Sequence, residues 1–586
     1  VPRSQDRLRA EFQLTRWVER AVDKAAVQGL EAAGYTPLLA RLLAQRGVTA
    51  PDAADWFAPS VRNLRTPDAW PVLGRIADEI LAFAQKGAPI VVFGDYDCDG
   101  VSATAILALA IRAVPGARVR PFLPERLTEG YGMQEPSVAR MRRENPDVAL
   151  VVTVDNGIVS AEPIARLKAD GIAVIVTDHH LPGAVLPDCL VADPMAEIAG
   201  SPCPAEFRGL CGAGVAFLVA HALISRAKAR GLVSASKSYA GAALVLAGLA
   251  TVADVMPLTG QNRILVAEAL RVFRSCAPVG LCELYDRASR RGAACLTARD
   301  FGFVIGPRIN AAGRLGSGMD ALNLVLCPDR EKARDWARTI DLRNTERKNT
   351  EQRMSLEAQK RVVAGAAAQV IDLPDGHPGV SGIVAARILE SLGESPVPVC
   401  VVVDGRGSAR APEGYNLRDA LDACAGLLDH FGGHAAAGGF SLPPANVDAF
   451  REAFAAACAR QRAQHPECAE GVLHFDAAVE GPELTLELAA DIARMAPFGE
   501  GNPEPVFAAR NLFLREVRPL GIEGRHLALT FRDGKVPRAV WWGHGEQVDE
   551  LRANAAKPHE ALFTIETSMY GGEHVELRLL ALRPLA

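Results

Sequence analysis

Residues 90 to 100, Ile90-Val91-Val92-Phe93-Gly94-Asp95-Tyr96-Asp97-Cys98-Asp99-Gly100, constrain the fold more than any other stretch of the chain. A β-branched apolar run that breaks into three acids at alternate positions predicts a buried parallel strand delivering carboxylates at its carboxyl end, where open α/β sheets place their ligands. Three such acids close together repel at neutral pH, so the cluster calls for protons or cations. All-oxygen donors suit hard divalent ions such as magnesium or manganese, and a nearby imidazole shifts the preference toward manganese. An acidic turn after a strand fits these eleven residues equally well. The rest of the chain separates the two readings.

From Pro89 to about residue 260, β-rich runs alternate with helical ones, the pattern of a doubly wound parallel sheet. The expected strands are Ile90–Phe93, Val119–Leu123, Leu150–Val154 and Ala173–Thr177. Two of them end on further metal-capable groups, Asp155-Asn156-Gly157 and Asp178-His179-His180. Asp and Asn also favour turns and helix caps, so one such strand end carries little weight. Three ends delivering acids and imidazole to one sheet edge point to a metal site. Asp254, closing the uncharged stretch Ser238–Ala253, adds a fourth acid where a buried charge needs a partner. Two ions ~3.5–4 Å apart, sharing a carboxylate, would form the clamp used for phosphoryl hydrolysis.

A net charge of −5 gives no general attraction to polyanions, so any nucleic-acid site must be local. Arg287, Arg290 and Arg291 make one basic cluster, best read as a solvated helix face. The twelve cysteines include no Cys-x-x-Cys pair, which favours reduced thiols in a cytoplasmic protein over zinc ribbons or a disulfide framework. No signal peptide is recognisable, and Val1-Pro2-Arg3-Ser4 reads as a processing remnant. Gly209–Ser225 and Ser238–Ala253 are shorter than the ~20 residues of a membrane span and are expected as buried helices.

The series Asp95-Tyr96-Asp97-Cys98-Asp99-Gly100, Asp155-Asn156-Gly157, Asp178-His179-His180 and Asp254 resembles, in order and context, the four motifs of the Asp-His-His (DHH) phosphoesterase superfamily, in particular its bacterial exonucleases specific for single strands. The resemblance covers almost everything from about residue 80 onward. It implies that Asp97, Asp99, Asp155, His179 and Asp254 hold two divalent cations, manganese or magnesium, with Asp155 bridging, and that His180 sits beside the scissile phosphate. Many superfamily members carry a ligating His four residues before the second acid; Phe93 stands there in this chain, and Asp95 is expected to compensate in part. Arg126, within Pro124–Gly132, and Arg314, within Ile309–Arg314, are implied phosphate contacts, with Arg308 in reserve. Ser408, Arg410 and His434 are implied substrate contacts in the glycine-dense loops of a second α/β unit, Ser408 and Arg410 toward a 5′-phosphate.

The expected plan is an N-terminal helical region (1–80), a parallel-sheet catalytic domain (81–328), a long connecting helix (329–365), a DHH-associated domain (366–465) and an OB-type β-barrel (466–586). Such barrels grip single strands. Met495-Ala496-Pro497-Phe498-Gly499-Glu500-Gly501-Asn502-Pro503-Glu504-Pro505 resembles the family's segment leading into it. Of Trp541 and Trp542, adjacent on a strand, at most one can meet bases on a given face, and core packing is expected for either. The resemblance implies 5′→3′ degradation of single-stranded DNA to 5′-mononucleotides in recombination and repair, by a monomer working with a single-strand-binding protein and a RecQ-type helicase. Two other readings are a small-substrate superfamily member acting on oligoribonucleotides or phosphonucleotides, and a non-catalytic nucleic-acid scaffold, which would be expected to have lost ligands.

Overall fold

A computed structural model describes residues 16–233, 237–289, 296–393, 396–464, 472–569 and 572–585. Arg290 and Arg291 lie outside the described residues, and Arg287 pairs with Asp341 at 3.1 Å.

The catalytic lobe begins with helix α1 (Pro71–Gln85) and continues through β1 (Pro89–Phe93), α2 (Cys98–Arg112), β2 (Arg118–Phe122), β3 (Leu150–Val154), β4 (Ala173–Thr177) and β5 (Leu190–Ala192). The five strands are all parallel, in the order β2-β1-β3-β4-β5. Their apolar runs are continuous because both faces are covered. Ile90, Val92, Leu150, Val152 and Val154 join one core with α1, α2, α3 (Gly212–Ala229) and α4 (Lys237–Ala253). Val91, Phe93, Val151, Val174 and Val176 face the other with Met133, Met141 and Leu167. The strand order reverses direction between β1 and β3, which opens a crevice at their carboxyl ends. The two uncharged stretches are the buried helices α3 and α4, and among the described residues no helix is long and apolar enough to cross a membrane.

Helix α5 (Arg330–Gln359) leaves this lobe and runs for about 45 Å. Ala337 and Ile340 in its first half belong to the catalytic core, whereas Met354 and Ala358 near its end belong to the core of the second lobe. The helix is therefore a shared wall between two cores. The second lobe carries β6 (Gln369–Asp372), β7 (Val399–Val403), β8 (Arg406–Arg410), β9 (His430–Gly433) and β10 (Ala437–Ser441), in the order β9-β10-β8-β7-β6. Only β6 and β7 pair in parallel.

The C-terminal sheet has seven strands: β11 (Ala477–Ala478), β12 (Phe507–Leu512), β13 (Leu514–Leu520), β14 (His526–Phe531), β15 (Ala539–Trp541), β16 (His559–Ser568) and β17 (His574–Pro584). Sequence patterning places one strand at Leu512–Glu516, but the chain breaks there into β12 and β13 at Phe513, within an apolar run that carries no turn residue to mark the junction. Trp541 is buried, and Trp542, expected in the core, is 52% exposed, since adjacent strand residues face opposite ways.

The N-terminal segment does not form a unit of its own. Leu30, Leu39, Leu42 and Leu43 share one core with the barrel, and Arg16–Glu19 pairs in parallel with Val472–Phe475. Helix α1, by contrast, packs into the catalytic core.

Candidate active site

Each acid of the site sits where an element starts or stops. After β1 the chain turns into α2 with Asp97 as its N-cap, whose Oδ1 accepts from the N–H groups of Asp99 at 2.9 Å and Gly100 at 3.0 Å. Asp99, in the first turn of α2, reaches the start of α3, where Gly212 and Ala213 each donate an N–H at 2.7 Å. The unpaired amides of a helix N-terminus favour a carboxylate there. A Cβ at Gly212 would lie 2.5 Å from the Cβ of Asp155, so only glycine lets α3 approach this closely.

Asp155, at the end of β3, holds φ at 60°, a left-handed conformation that Asp tolerates better than most residues. His179 follows β4, and Asp254 follows the last turn of α4. The four chain positions converge on one imidazole nitrogen: His179 Nε2 lies 3.1 Å from Asp155 Oδ1, 3.6 Å from Asp99 Oδ2 and 3.7 Å from Asp254 Oδ2. Asp95, Asp97 and Asp155 form an adjoining group with ligand atoms within 4.8 Å of one another.

The electrostatics of this cluster call for cations. Burial, reinforced by neighbouring carboxylates, holds Asp95 and Asp155 well above the usual carboxylate range and raises Asp97. The same causes push Asp254 to about 8. Asp95 Oδ1 is buried without a hydrogen-bond partner. His179 is held below its ordinary value, chiefly by burial, which keeps the imidazole neutral and able to ligate. Crowded acids, an orphaned carboxylate oxygen and a neutral imidazole fit hard divalent ions.

His180 has the opposite character. Its Nδ1 lies 2.7 Å from Asp178 Oδ1; burial lowers it, but this bond together with the charges of Asp178, Asp254 and Asp99 raises it to about 9. Asp178 is itself fixed by the N–H groups of Ile158 at 3.0 Å and His179 at 2.8 Å. Asp178 lies inside a motif that sequence reading singles out for its two histidines, yet its own part becomes visible only in these contacts. Tyr131 is another such residue: its hydroxyl donates to the Asp155 carbonyl at 2.9 Å and lies 3.1 Å from His180 Nδ1. A third is Asn310, whose Oδ1 accepts from the Cys98 N–H at 2.7 Å and so ties the Ile309–Arg314 motif to the acid loop.

Three arginines border the acids. The Arg126 guanidinium lies 5.0 Å over the ring of Tyr96, the residue between Asp95 and Asp97. Burial and the charge of Arg126 pull Arg314 down to about 10 and lower Arg410 as well. Arg314 donates to the Gly379 carbonyl at 3.0 Å, across to the second lobe. Arg406, Ser408 and Arg410 alternate along β8 and share a face, and Arg406 returns a bond to the Leu127 carbonyl at 3.0 Å. Ser408 Oγ lies 2.8 Å from Ser381 Oγ. The charge of Arg126, felt by both Arg314 and Arg410, concentrates positive charge of a kind suited to an anion.

Other expected residues lie elsewhere or are already engaged. His434 is exposed in the turn between β9 and β10, and among the described residues no contact ties it to the cluster. Arg308 is taken up by Asp341 at 2.9 Å. Phe93 is fully buried and packs on Phe122 with ring centroids 5.0 Å apart, so that corner of the site is apolar.

Comparison with known proteins agrees with this geometry. Residues 89–249 match the DHH family N-terminal domain, 364–460 the DHHA1 domain and 475–580 the RecJ OB domain. The chain is 37% identical over 503 residues to the single-stranded-DNA-specific exonuclease RecJ of Dickeya dadantii, covering 82% of this chain and 84% of that one. It is 34% identical over 524 residues to RecJ of Escherichia coli, covering 85% and 87%. A crystal structure of RecJ in complex with Mn2+ from Thermus thermophilus superposes with a TM-score of 0.82 at 31% identity, covering 98% of this chain and 80% of that one. On this combination of sequence, domain order and fold, the chain belongs to the RecJ family.

Proposed function

We propose that this protein is a metal-dependent exonuclease that degrades single-stranded DNA from the 5′ end and releases 5′-mononucleotides. The observation that carries the reading is the contact between the acid cluster and the arginine cluster through Tyr96. A terminal phosphate held by Arg126, Arg314, Ser408 and Arg410 would leave the next phosphodiester close to the carboxylates, which accounts for cutting one nucleotide at a time.

Asp97, Asp99, Asp155, His179 and Asp254 would hold two divalent cations, manganese or magnesium, with Asp155 between them. Bound there, the ions would supply an activated water and offset charge on the transferred phosphorus. The chain's own groups do the rest. His180, kept charged by Asp178 at 2.7 Å, donates toward the phosphate and steadies the developing negative charge. Asp95 adds a further carboxylate oxygen on the side where Phe93 offers none. The amides of Gly212 and Ala213 fix Asp99, and the left-handed backbone at Asp155 aims its carboxylate at His179.

Selection of single strands follows from a cleft walled by two lobes whose spacing α5 sets, with the barrel guiding the strand and His434 a further contact on the second lobe. Family membership supports work in recombination and repair, as a cytoplasmic monomer alongside a single-strand-binding protein and a RecQ-type helicase. Digestion of end-labelled single strands with and without manganese, comparing 5′-phosphate with 5′-hydroxyl ends and long DNA with short RNA, tests the proposal. Faster cutting of long 5′-phosphorylated DNA is the expected result; preference for short RNA would overturn it.

A further inference from the structure

The segment Met495–Pro505 connects β11 and β12 of the barrel sheet and buries Met495 in the barrel core, yet it also contacts the catalytic lobe just after Asp254. The Leu258 N–H donates to the Glu500 carbonyl at 2.7 Å. A Cβ on Gly499 would meet Leu258 Cδ1 at 2.7 Å, so the segment is pressed against that buried leucine. Arg263 Nη2 donates to the carbonyls of Met495 at 3.1 Å and Ala496 at 2.9 Å, its Nε to the Trp56 carbonyl at 3.0 Å, and its guanidinium lies 3.8 Å over the Trp56 ring. The segment is knotted internally by Asn502, which donates to the Met495 and Pro497 carbonyls and accepts from Arg46 at 3.0 Å. Arg46 and Trp56 belong to the N-terminal helices that share the barrel's core.

This joint reaches both the turn after Asp254 and the loop whose amides cap Asp99. Only three residues separate Leu258 from Asp254, and among them Val255 holds φ at 56°, a costly conformation for a β-branched residue that persists only where its surroundings impose it. Next to Arg263, Asn262 donates to the Pro257 carbonyl at 3.1 Å and to the Gly209 carbonyl at 2.5 Å. Gly209 begins the loop that leads into the α3 amides capping Asp99.

We propose that Arg263 and the strap Met495–Pro505 are positioning elements for the metal centre: docking of the barrel body onto Leu258 and Arg263 sets the turn after Asp254 and the amides that cap Asp99, and so tunes divalent-cation affinity from outside the catalytic lobe. The proposal rests on the metal-site reading above. Its partner is internal, the chain's own C-terminal body, and its effect is on the strength of cation binding rather than on contact with DNA.

The experiment is a Mn2+ titration of the full chain without DNA, following free Mn2+ by electron paramagnetic resonance, for the wild type, Arg263→Ala, Arg263→Lys and Asn502→Ala. Melting curves and single-strand binding in EDTA accompany it. Arg263→Ala and Asn502→Ala are expected to weaken Mn2+ binding by about ten-fold, a factor that corresponds to ~1.4 kcal/mol, while single-strand binding in EDTA is unchanged and Arg263→Lys recovers part of the loss. Folded variants that melt earlier yet bind Mn2+ as tightly as the wild type would overturn the proposal, leaving the strap a purely structural joint. A wild type that fails to bind Mn2+ would instead overturn the metal-site reading.

Discussion

Replacing Asp155 by Asn makes a prediction about stability that follows from the metal site. Asp155 shares a group with Asp95 and Asp97 whose ligand atoms lie within 4.8 Å, and Asp99 and Asp254 also repel it. Two unit charges at that separation interact by about 3.5 kcal/mol at an effective dielectric constant of ~20. Burial and repulsion hold Asp155 well above the usual carboxylate range, so proton uptake offsets part of this repulsion without metal and the net relief is smaller, about 1–3 kcal/mol. Asn keeps the size of the side chain and tolerates the φ of 60°. In EDTA near pH ~8, Asp155→Asn is therefore expected to melt above the wild type, by roughly 2–12 °C for a lobe of this size.

The sign follows from linkage. A carboxyl whose folded pKa is raised loses stability as pH rises from its unfolded to its folded value, so the advantage of Asn grows with pH and fades as the cluster takes up protons. Cations reverse the order. At a hundred times the dissociation constant, each bound ion stabilises the wild type by ~2.7 kcal/mol, a gain that Asp155→Asn largely forfeits along with its activity. Differential scanning calorimetry in EDTA and in Mn2+ at two pH values reads all four states. A variant less stable than the wild type in EDTA at the higher pH, or stabilised as much by Mn2+, would refute the account of a self-repelling cluster that cations relieve.

The arginine cluster makes a different prediction: Arg314→Ala or Arg410→Ala is expected to lower kcat/KM on 5′-phosphorylated strands by about ten- to a hundred-fold, the worth of a charge-assisted hydrogen bond, with little change on 5′-hydroxyl strands. Equal losses on both ends would argue against a terminal-phosphate pocket. Asp178→Asn is expected to reduce kcat by about ten- to a hundred-fold at nearly unchanged KM, because it releases His180 while leaving the strand's other contacts in place; a change confined to KM would count against this. The paired tryptophans separate by assay: Trp541→Ala should cost about 3–5 kcal/mol in a denaturant titration, while Trp542→Ala should alter stability by less than ~0.5 kcal/mol and weaken single-strand binding at least about five-fold. Unchanged binding by Trp542→Ala would remove that residue from the strand's path.

The catalytic sheet was legible because its signals are local. Runs such as Leu150–Val154 are buried on both faces and stop on the turn residues that carry the chemistry, so pattern and strand end coincide. The grouping of Asp97, Asp99, Asp155, His179 and Asp254 follows once those strand ends share an edge. Contacts made by backbone or across long separations left no comparable mark. Arg41 Nε donates to the Asp476 carbonyl 435 positions away, and nothing in the amphipathic N-terminal helices indicates that their apolar faces complete the barrel. The amides that cap Asp99 belong to Gly212 and Ala213, residues without polar side chains. The break between β12 and β13 at Phe513 was hidden because Leu512-Phe513-Leu514 is an unbroken apolar run with no Gly or Pro to mark a turn.

The proposed site draws residues from both lobes, and single-strand selection would require that the lobes keep their registration. Asp97 and Arg126 belong to the catalytic lobe, Ser408 and Arg410 to the second. A flexible linker would let the cleft open enough to admit a duplex, but the connection is α5, whose ends lie in both cores. Glu351 on that helix is almost fully buried and bonded to Arg347 at 3.0 Å, and it pairs with Arg387 of the second lobe, so a rotation there would strand a buried charge. Arg314 to Gly379 and Arg406 to Leu127 close the cleft from opposite sides, at 3.0 Å each. Under the proposed function, a passage of fixed width would select strands by steric exclusion of the second strand rather than by reading bases. A duplex end is accordingly expected to become a substrate only when its 5′ strand is already unpaired over the length of the cleft, and widening the cleft by Arg406→Ala should relax that requirement before it slows cutting of single strands.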